Sequence, residues 1–303
     1  MQSQHDVVVI GGSFAGLSAA MQLARARRRV LVIDGRRPRN RFAARSHGFF
    51  GQDGRAPEDI VGEATAQLAA YPDVTFRIGE ARTAERGARG FVVTTDDGGE
   101  IGAERLILAT GVRDELPALA GLEARWGTSV LHCPYCHGYE IGAGRIGVLA
   151  THPMSLHQAQ LVADWGPLVW FTQGIVEPGA EEAAQLAARG VRIEAAPVVE
   201  VLGEAPRLAG LRLADGRVVE VDALFVGTRT LPASDLATQL GCAFDEAPLG
   251  PVVRVDAWNQ TSVPGVFAAG DMANPMTNAT FASASGVLAG VGAHRSLIFP
   301  AGQ

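Results

Sequence analysis

Cysteine is scarce in this sequence. Three residues among 303 cannot build a framework of disulfide staples, so the fold has to rest on apolar burial. Basic residues are also in the minority: Lys and Arg total 26 against 32 Asp and Glu, a formal net charge of -6. That balance offers no basic footprint for nucleic acid or for an anionic membrane surface. No apolar run reaches membrane-spanning length. The first six residues lack the basic region and long apolar stretch of a signal peptide, which leads us to expect a cytoplasmic protein. Internal repeats and low-complexity tracts are missing too. The basic run at residues 25–29 closes a helical stretch, where cations suit the helix dipole.

With 47% hydrophobic residues the chain can bury a large core, and its length suggests two domains. Val7-Val8-Val9-Ile10 reads as a buried strand, Gly11-Gly12-Ser13-Phe14-Ala15-Gly16 as a tight turn, residues 17–27 as a helix and residues 30–34 as a second strand. This order fits the dinucleotide fingerprint, in which a pyrophosphate sits at the helix N-terminus and an acidic residue, here Asp34, holds the ribose hydroxyls. Ser13 stands where the second glycine of the fingerprint belongs, and an ordinary strand–turn–helix without ligand is the alternative for this segment alone. Two further buried strands end in small residues, Leu106 to Thr110-Gly111 and Val266 to Gly270-Asp271. Small residues at strand ends admit a cofactor. Between them a second strand-and-helix series reads as an α/β domain inserted into the first, with the division 1–114 plus 245–303 around 115–244.

The chemistry resides in Cys133-Pro134-Tyr135-Cys136-His137. Two cysteines separated by two residues can close a small disulfide, and a helix N-terminus or a neighbouring His cation stabilises one thiolate, which makes a two-electron switch. His137 is placed to carry the proton each thiol loses or regains. A zinc site built on His132, Cys133, Cys136 and His137 is the alternative, but structural zinc normally needs a second ligand pair, and we expect no metal. Cys242 reads as a small core residue, and His152 and His157 as structural or surface residues.

Taken together, the Gly-x-Ser-x-x-Gly turn, Ala109-Thr110-Gly111, the Cys-x-x-Cys and the stretch from Gly265 to Asp271 resemble the low-molecular-weight thioredoxin reductase family over nearly the whole chain. The resemblance implies two three-layer Rossmann-like domains, one for FAD and an inserted one of nicotinamide type bearing the cysteine pair, and a homodimer. It implies that Gly11, Ser13, Ala15, Gly16 and Asp34 hold the ADP half of FAD, with Thr110 and Gly111 nearby. Gly270 and Asp271 would reach the pyrophosphate and ribityl chain, and Ala279 and Thr280 the pyrimidine edge of the flavin. Asn40 and His47 are further cofactor positions, and Cys136 is the sulfur nearer the flavin, Cys133 the one that exchanges with substrate.

The departures from that family are informative. Ala150, Thr151, His152 and Pro153 stand where the inserted domain's glycine-rich turn belongs, and Thr172-Gln173-Gly174 where a basic set grips the NADPH phosphate. Side chains crowd that path and no guanidinium awaits a phosphate, so little or no NADPH binding is expected. Cys-Pro-Tyr-Cys-His-Gly-Tyr-Glu is similar to the branch that closes gliotoxin- and holomycin-type disulfides with oxygen as acceptor. The expected substrate is a small-molecule dithiol or disulfide. Reduction of a thioredoxin-like protein, fed by NAD(P)H or another donor, is the alternative, and a flavin-loaded redox sensor is a third.

Overall fold

The computed structural model describes residues 4–299; residues 1–3 and 300–303, the outer ends of the expected terminal segments, lie outside them. The chain opens with β1 (Gln4–Ile10), α1 (Phe14–Arg25), β2 (Val30–Asp34), α2 (Pro57–Ala69), β3 (Val74–Ile78), β4 (Ala81–Gly87), β5 (Gly90–Thr95) and β6 (Glu100–Leu108). After β7 (Val112–Glu115) comes a second series: β8 (Val130–Leu131), α3 (Pro134–Ile141), β9 (Ile146–Leu149), α4 (Ser155–Val162), β10 (Leu168–Phe171) and α5 (Ala180–Ala188). It continues with β11 (Arg192–Glu194), β12 (Val198–Leu202), β13 (Gly210–Leu213), β14 (Val218–Val219) and β15 (Ala223–Val226). The chain returns through β16 (Arg229–Pro232), α6 (Leu236–Gln239), β17 (Phe244–Ala247), β18 (Gly250–Val253), β19 (Val266–Ala268) and α7 (Ala279–Ile298).

The first sheet has the order β3-β2-β1-β6-β5-β4, with β19 also paired to β6. β1 runs parallel to both neighbours, Val8 lying between Leu31 and Leu106. Its run of four apolar residues needs no alternation because both faces are covered. Val7 and Val9 pack with Leu23 and Ala289 from the helices on one face, and Val8 and Ile10 with Val93, Leu236, Cys242 and Val253 on the other. Cys242 is thus a core residue, 7% exposed. Helix α7 can lie close on α1 because Gly286 and Gly290 carry no side chain: a Cβ on Gly286 would meet the Ala15 carbonyl oxygen at 2.1 Å.

The second sheet, β11-β10-β9-β15-β8, is parallel throughout. Helices α4 and α5 contribute Ala159, Val162 and Leu186 to the core on one face, and the antiparallel sheet β12-β13-β14 supplies Val201, Leu211 and Val219 to the core on the other. The mixed α/β architecture with two sheets built around parallel strands is the one expected; β4 and β5 add an antiparallel edge to the first. β7 and β16 pair antiparallel, Asp114 opposite Thr230, where the chain passes between the two sheets. Residues 218–226, a single apolar-rich stretch in the sequence, divide between two sheets: Val219 pairs with β13 and Ala223 with β9. The physical reason is Asp222, which accepts from the Arg145 amide at 2.8 Å and donates its own amide to the Arg145 carbonyl at 2.7 Å, carrying the chain from one sheet to the other. No described helix is long and apolar enough to cross a membrane.

Candidate active site

In a doubly wound sheet the ligand crevice opens beyond the carboxyl ends of the strands where the order reverses, here β1 and β6. Sterics dictate glycine in the turn after β1. Gly11 has φ 112°, and a Cβ on it would meet the Ala109 carbonyl oxygen at 2.2 Å; on Gly16 a Cβ would meet the Gly11 carbonyl oxygen at 1.8 Å. Helix α1 therefore starts hard against the strand ends. Its N-cap, Ser13, makes no side-chain capping bond, so the first amides remain for a ligand. Asp34, at the end of β2, lies against Gly12, where a Cβ would meet its side chain at 2.7 Å. A glycine turn, uncapped amides and a carboxylate across from them fit a dinucleotide group.

A cavity of about 260 Å³ opens at this point. Ser13, Ala15, Thr110, Gly111, Gly270 and Asp271 line it, joined by Asn40 and His47 from the loop after β2 and Ala279 from the start of α7. Cys133, Cys136 and His137 line the same cavity. Gly11, Gly16, Asp34 and Thr280 do not: the two glycines are used in the turn's own packing, Asp34 sits behind Gly12, and Thr280 is the second residue of α7.

The cysteine pair is set by the strand-to-helix junction. Cys133 is the N-cap of α3, and Pro134 takes the first helical position, where its missing amide leaves no bond unmade. Gly138 lets α3 lie on Trp165, since a Cβ there would meet the indole at 2.5 Å; Tyr135 packs edge-on to the same ring at 5.4 Å. The two Sγ atoms are 2.6 Å apart and unjoined. The hydrogen bond from Cys136 pulls the Cys133 thiol down to about 7, with help from the Tyr135 and Cys136 amides and the Arg39 charge, against the cost of burial. Donating that bond, and burial, push Cys136 up. Burial lowers His137 below the ordinary imidazole range, so it is neutral at pH 7 and free to accept a proton, while Glu140 works in the opposite direction. His132, also lining the cavity, is driven to about 4 by burial and by Arg39.

Below the sulfur pair lies an ionic group that sequence reasoning missed. Arg39 makes a two-pronged contact with Asp114, 2.9 Å from Nε and 2.6 Å from Nη2, and reaches Asp271 from Nη1 at 3.1 Å. Thr228 donates to the same Asp114 carboxylate at 2.6 Å. Burial raises the Asp114 pKa, yet the Arg39 hydrogen bonds outweigh it and the net shift is downward; for Asp271 burial wins and the shift is upward. Removing one member of a buried pair of this kind costs about 3–5 kcal/mol, because the other charge is left unpaired. No sequence motif marked Arg39 or Asp114, and only the fold brings them together.

The sequence profile of the family described as pyridine nucleotide-disulphide oxidoreductase matches residues 5–286. The chain belongs to that family. It is an oxidoreductase acting on sulfur groups, and its likeness to the low-molecular-weight thioredoxin reductases holds over nearly its whole length. It is 33% identical to thioredoxin reductase tcpT of Claviceps purpurea, over 97% of this chain and 94% of that protein. Among solved structures, an oxidoreductase from Agrobacterium tumefaciens has a TM-score of 0.94 at 47% identity, covering 99% of this chain and 100% of that one. HlmI has a TM-score of 0.89 at 37% identity, covering 97% and 92%.

In this pyridine nucleotide-disulphide oxidoreductase the second crevice, beyond β9 and β15, differs from the first. Thr151, just past β9, donates its hydroxyl to the carbonyl of Gly227, just past β15. His152 Nε2 crowds the same glycine, on which a Cβ would meet it at 2.7 Å, and His152 Nδ1 accepts from the Met154 amide at 3.2 Å. Two of the chain's own side chains thus stand between the strand ends. Gln158 of α4 extends from this crevice to the redox segment, donating to the His132 carbonyl at 3.1 Å.

Proposed function

We propose that this chain is an FAD-dependent enzyme that oxidises small-molecule dithiols to disulfides, with dioxygen as electron acceptor and little or no use of NADPH. One observation carries the reading: Cys133 and Cys136 share a cavity with the dinucleotide turn, while Thr151 and His152 fill the second crevice. In this reading Ser13 and Ala15, backed by Gly11 and Gly16, hold the pyrophosphate at the start of α1, and Asp34 holds the ribose. Thr110 and Gly111 border the same half of FAD. Gly270 and Asp271 serve the pyrophosphate and ribityl chain, Ala279 and Thr280 the pyrimidine edge, and Asn40 and His47 are further cofactor positions. Once bound, the flavin supplies a two-electron acceptor next to the sulfur pair.

The protein's own groups divide the remaining work. A substrate thiolate attacks Cys133 Sγ of the Cys133–Cys136 disulfide, breaking that S–S bond and releasing Cys136 as thiolate; the second substrate thiolate displaces Cys133 and closes the substrate disulfide. Two S–H protons are lost and two electrons enter the pair, so the net change is dithiol plus dioxygen to disulfide plus hydrogen peroxide. His137, neutral at pH 7, takes up the substrate's proton. The working unit is a homodimer, as the family resemblance implies. Reduction of a thioredoxin-like protein is the second reading, favoured by the name of the Claviceps relative.

Dioxygen uptake with dithiothreitol as substrate tests the proposal. Cys136→Ser should lower turnover by roughly a thousandfold or more while the protein stays yellow. Full activity in that variant rejects the role of the pair.

A further inference from the structure

Under the proposed function electrons enter the sulfur pair from the substrate, and breaking its S–H bonds frees protons in a half-buried cavity. His47 lies at the edge of that cavity with a carboxylate at each ring nitrogen: Asp53 Oδ1 is 3.5 Å from Nδ1, and Glu140 Oε1 is 3.4 Å from Nε2. The three groups come from two elements. Glu140 stands on α3, three positions after His137 and so on the same helix face, whereas His47 and Asp53 belong to a loop between β2 and α2. That loop is held in shape by the Gly48 amide on Asp53 at 2.9 Å and by the Ser46 amide on the Arg55 carbonyl at 2.7 Å. The His47 side chain is 20% exposed, Glu140 44% and Asp53 69%, so the imidazole lies at the cavity wall and both carboxylates reach water.

A neutral imidazole holds one proton and has one free nitrogen, so a ring bridging two carboxylates can receive a proton on one side and release one on the other. We propose that Glu140 and His47 form the proton exit of this site, relaying protons from His137 to Asp53 and bulk water. The inference rests on the dithiol-oxidase reading and deepens it. In each cycle the two S–H bonds of the substrate break and one electron pair enters Cys133 and Cys136; the protons that leave through His137 in this half are taken back from water when dioxygen becomes hydrogen peroxide, so the whole cycle releases none. The charged and titratable groups acting on His137 are Glu140 on its own helix, His47 from the facing loop and His132 at the end of β8. Burial keeps His137 neutral near pH 7, which suits an acceptor.

The test follows anaerobic bleaching of the flavin-loaded protein by dithiothreitol from pH 5.5 to 9. Glu140 does not line the cavity, so Glu140→Gln should keep the flavin yet slow bleaching at least about tenfold at neutral pH, with added imidazole restoring the rate. Glu140→Asp should keep most of the rate. Rates within twofold of the unaltered protein at every pH overturn the relay, as does a loss that imidazole leaves in place. An unaltered protein that dithiothreitol fails to bleach overturns the underlying reading, and the relay with it.

Discussion

Cys133 and Cys136 differ chemically because one donates a hydrogen bond to the other. The acceptor keeps its negative charge down to about pH 7, and the donor holds its proton far beyond that. Iodoacetamide should therefore label the reduced protein at Cys133 first. A thiol whose pKa is lowered is reactive above that pKa and loses reactivity as pH falls through it, so Cys133 labelling should halve near pH 7 and fade toward pH 5. Site-resolved mass spectrometry reads the outcome, and preferential labelling of Cys136 contradicts the assignment. The pair and its histidine were legible in the sequence because cysteines two residues apart have little structural use in a cysteine-poor chain. Arg39 and Asp114 were not. They stand 75 positions apart, each in an ordinary polar stretch, and their meaning appears only when β7 is laid beside the loop after β2. His152 was legible as a residue crowding the second turn, but its neighbour there was not: Gly227 lies beyond a strand far along the chain.

Helix α1 shows what a short motif can and cannot disclose. Its approach to the strand ends depends on two missing side chains, and both glycines were readable as a turn. Gly16→Val should abolish flavin retention, because the new Cβ would sit 1.8 Å from the Gly11 carbonyl oxygen and α1 would have to move away. The absorbance spectrum of the purified variant near 450 nm measures this, and a variant with full flavin content contradicts the role of the turn. Serine at position 13, which departs from the usual glycine pattern, is tolerated as an N-cap with extended backbone, φ -107° and ψ -160°. The second series was legible as alternating strands and helices but not in its division into sheets. Residues 218–226 form a single apolar-rich stretch, and the Arg145–Asp222 contacts that split it join positions 77 apart.

Across the whole molecule, two sheets of the same winding present two crevices with opposite fates. At the first, glycine and small residues leave a cavity of about 260 Å³ that also holds the sulfur pair. At the second, Thr151 and His152 occupy the space between the strand ends. A pyrophosphate entering there would have to displace the Thr151–Gly227 bond and find amides in a segment where Pro153 has none. The chain thus keeps the architecture of its family, and under the proposed function electrons have one way in, through thiols. An anaerobic spectral titration of the flavin-loaded protein, first with NADPH and then with a simple dithiol, examines this most directly. The expected result is a flavin that stays yellow through excess NADPH and bleaches on addition of the dithiol; rapid bleaching by NADPH, or none by the dithiol, contradicts the account.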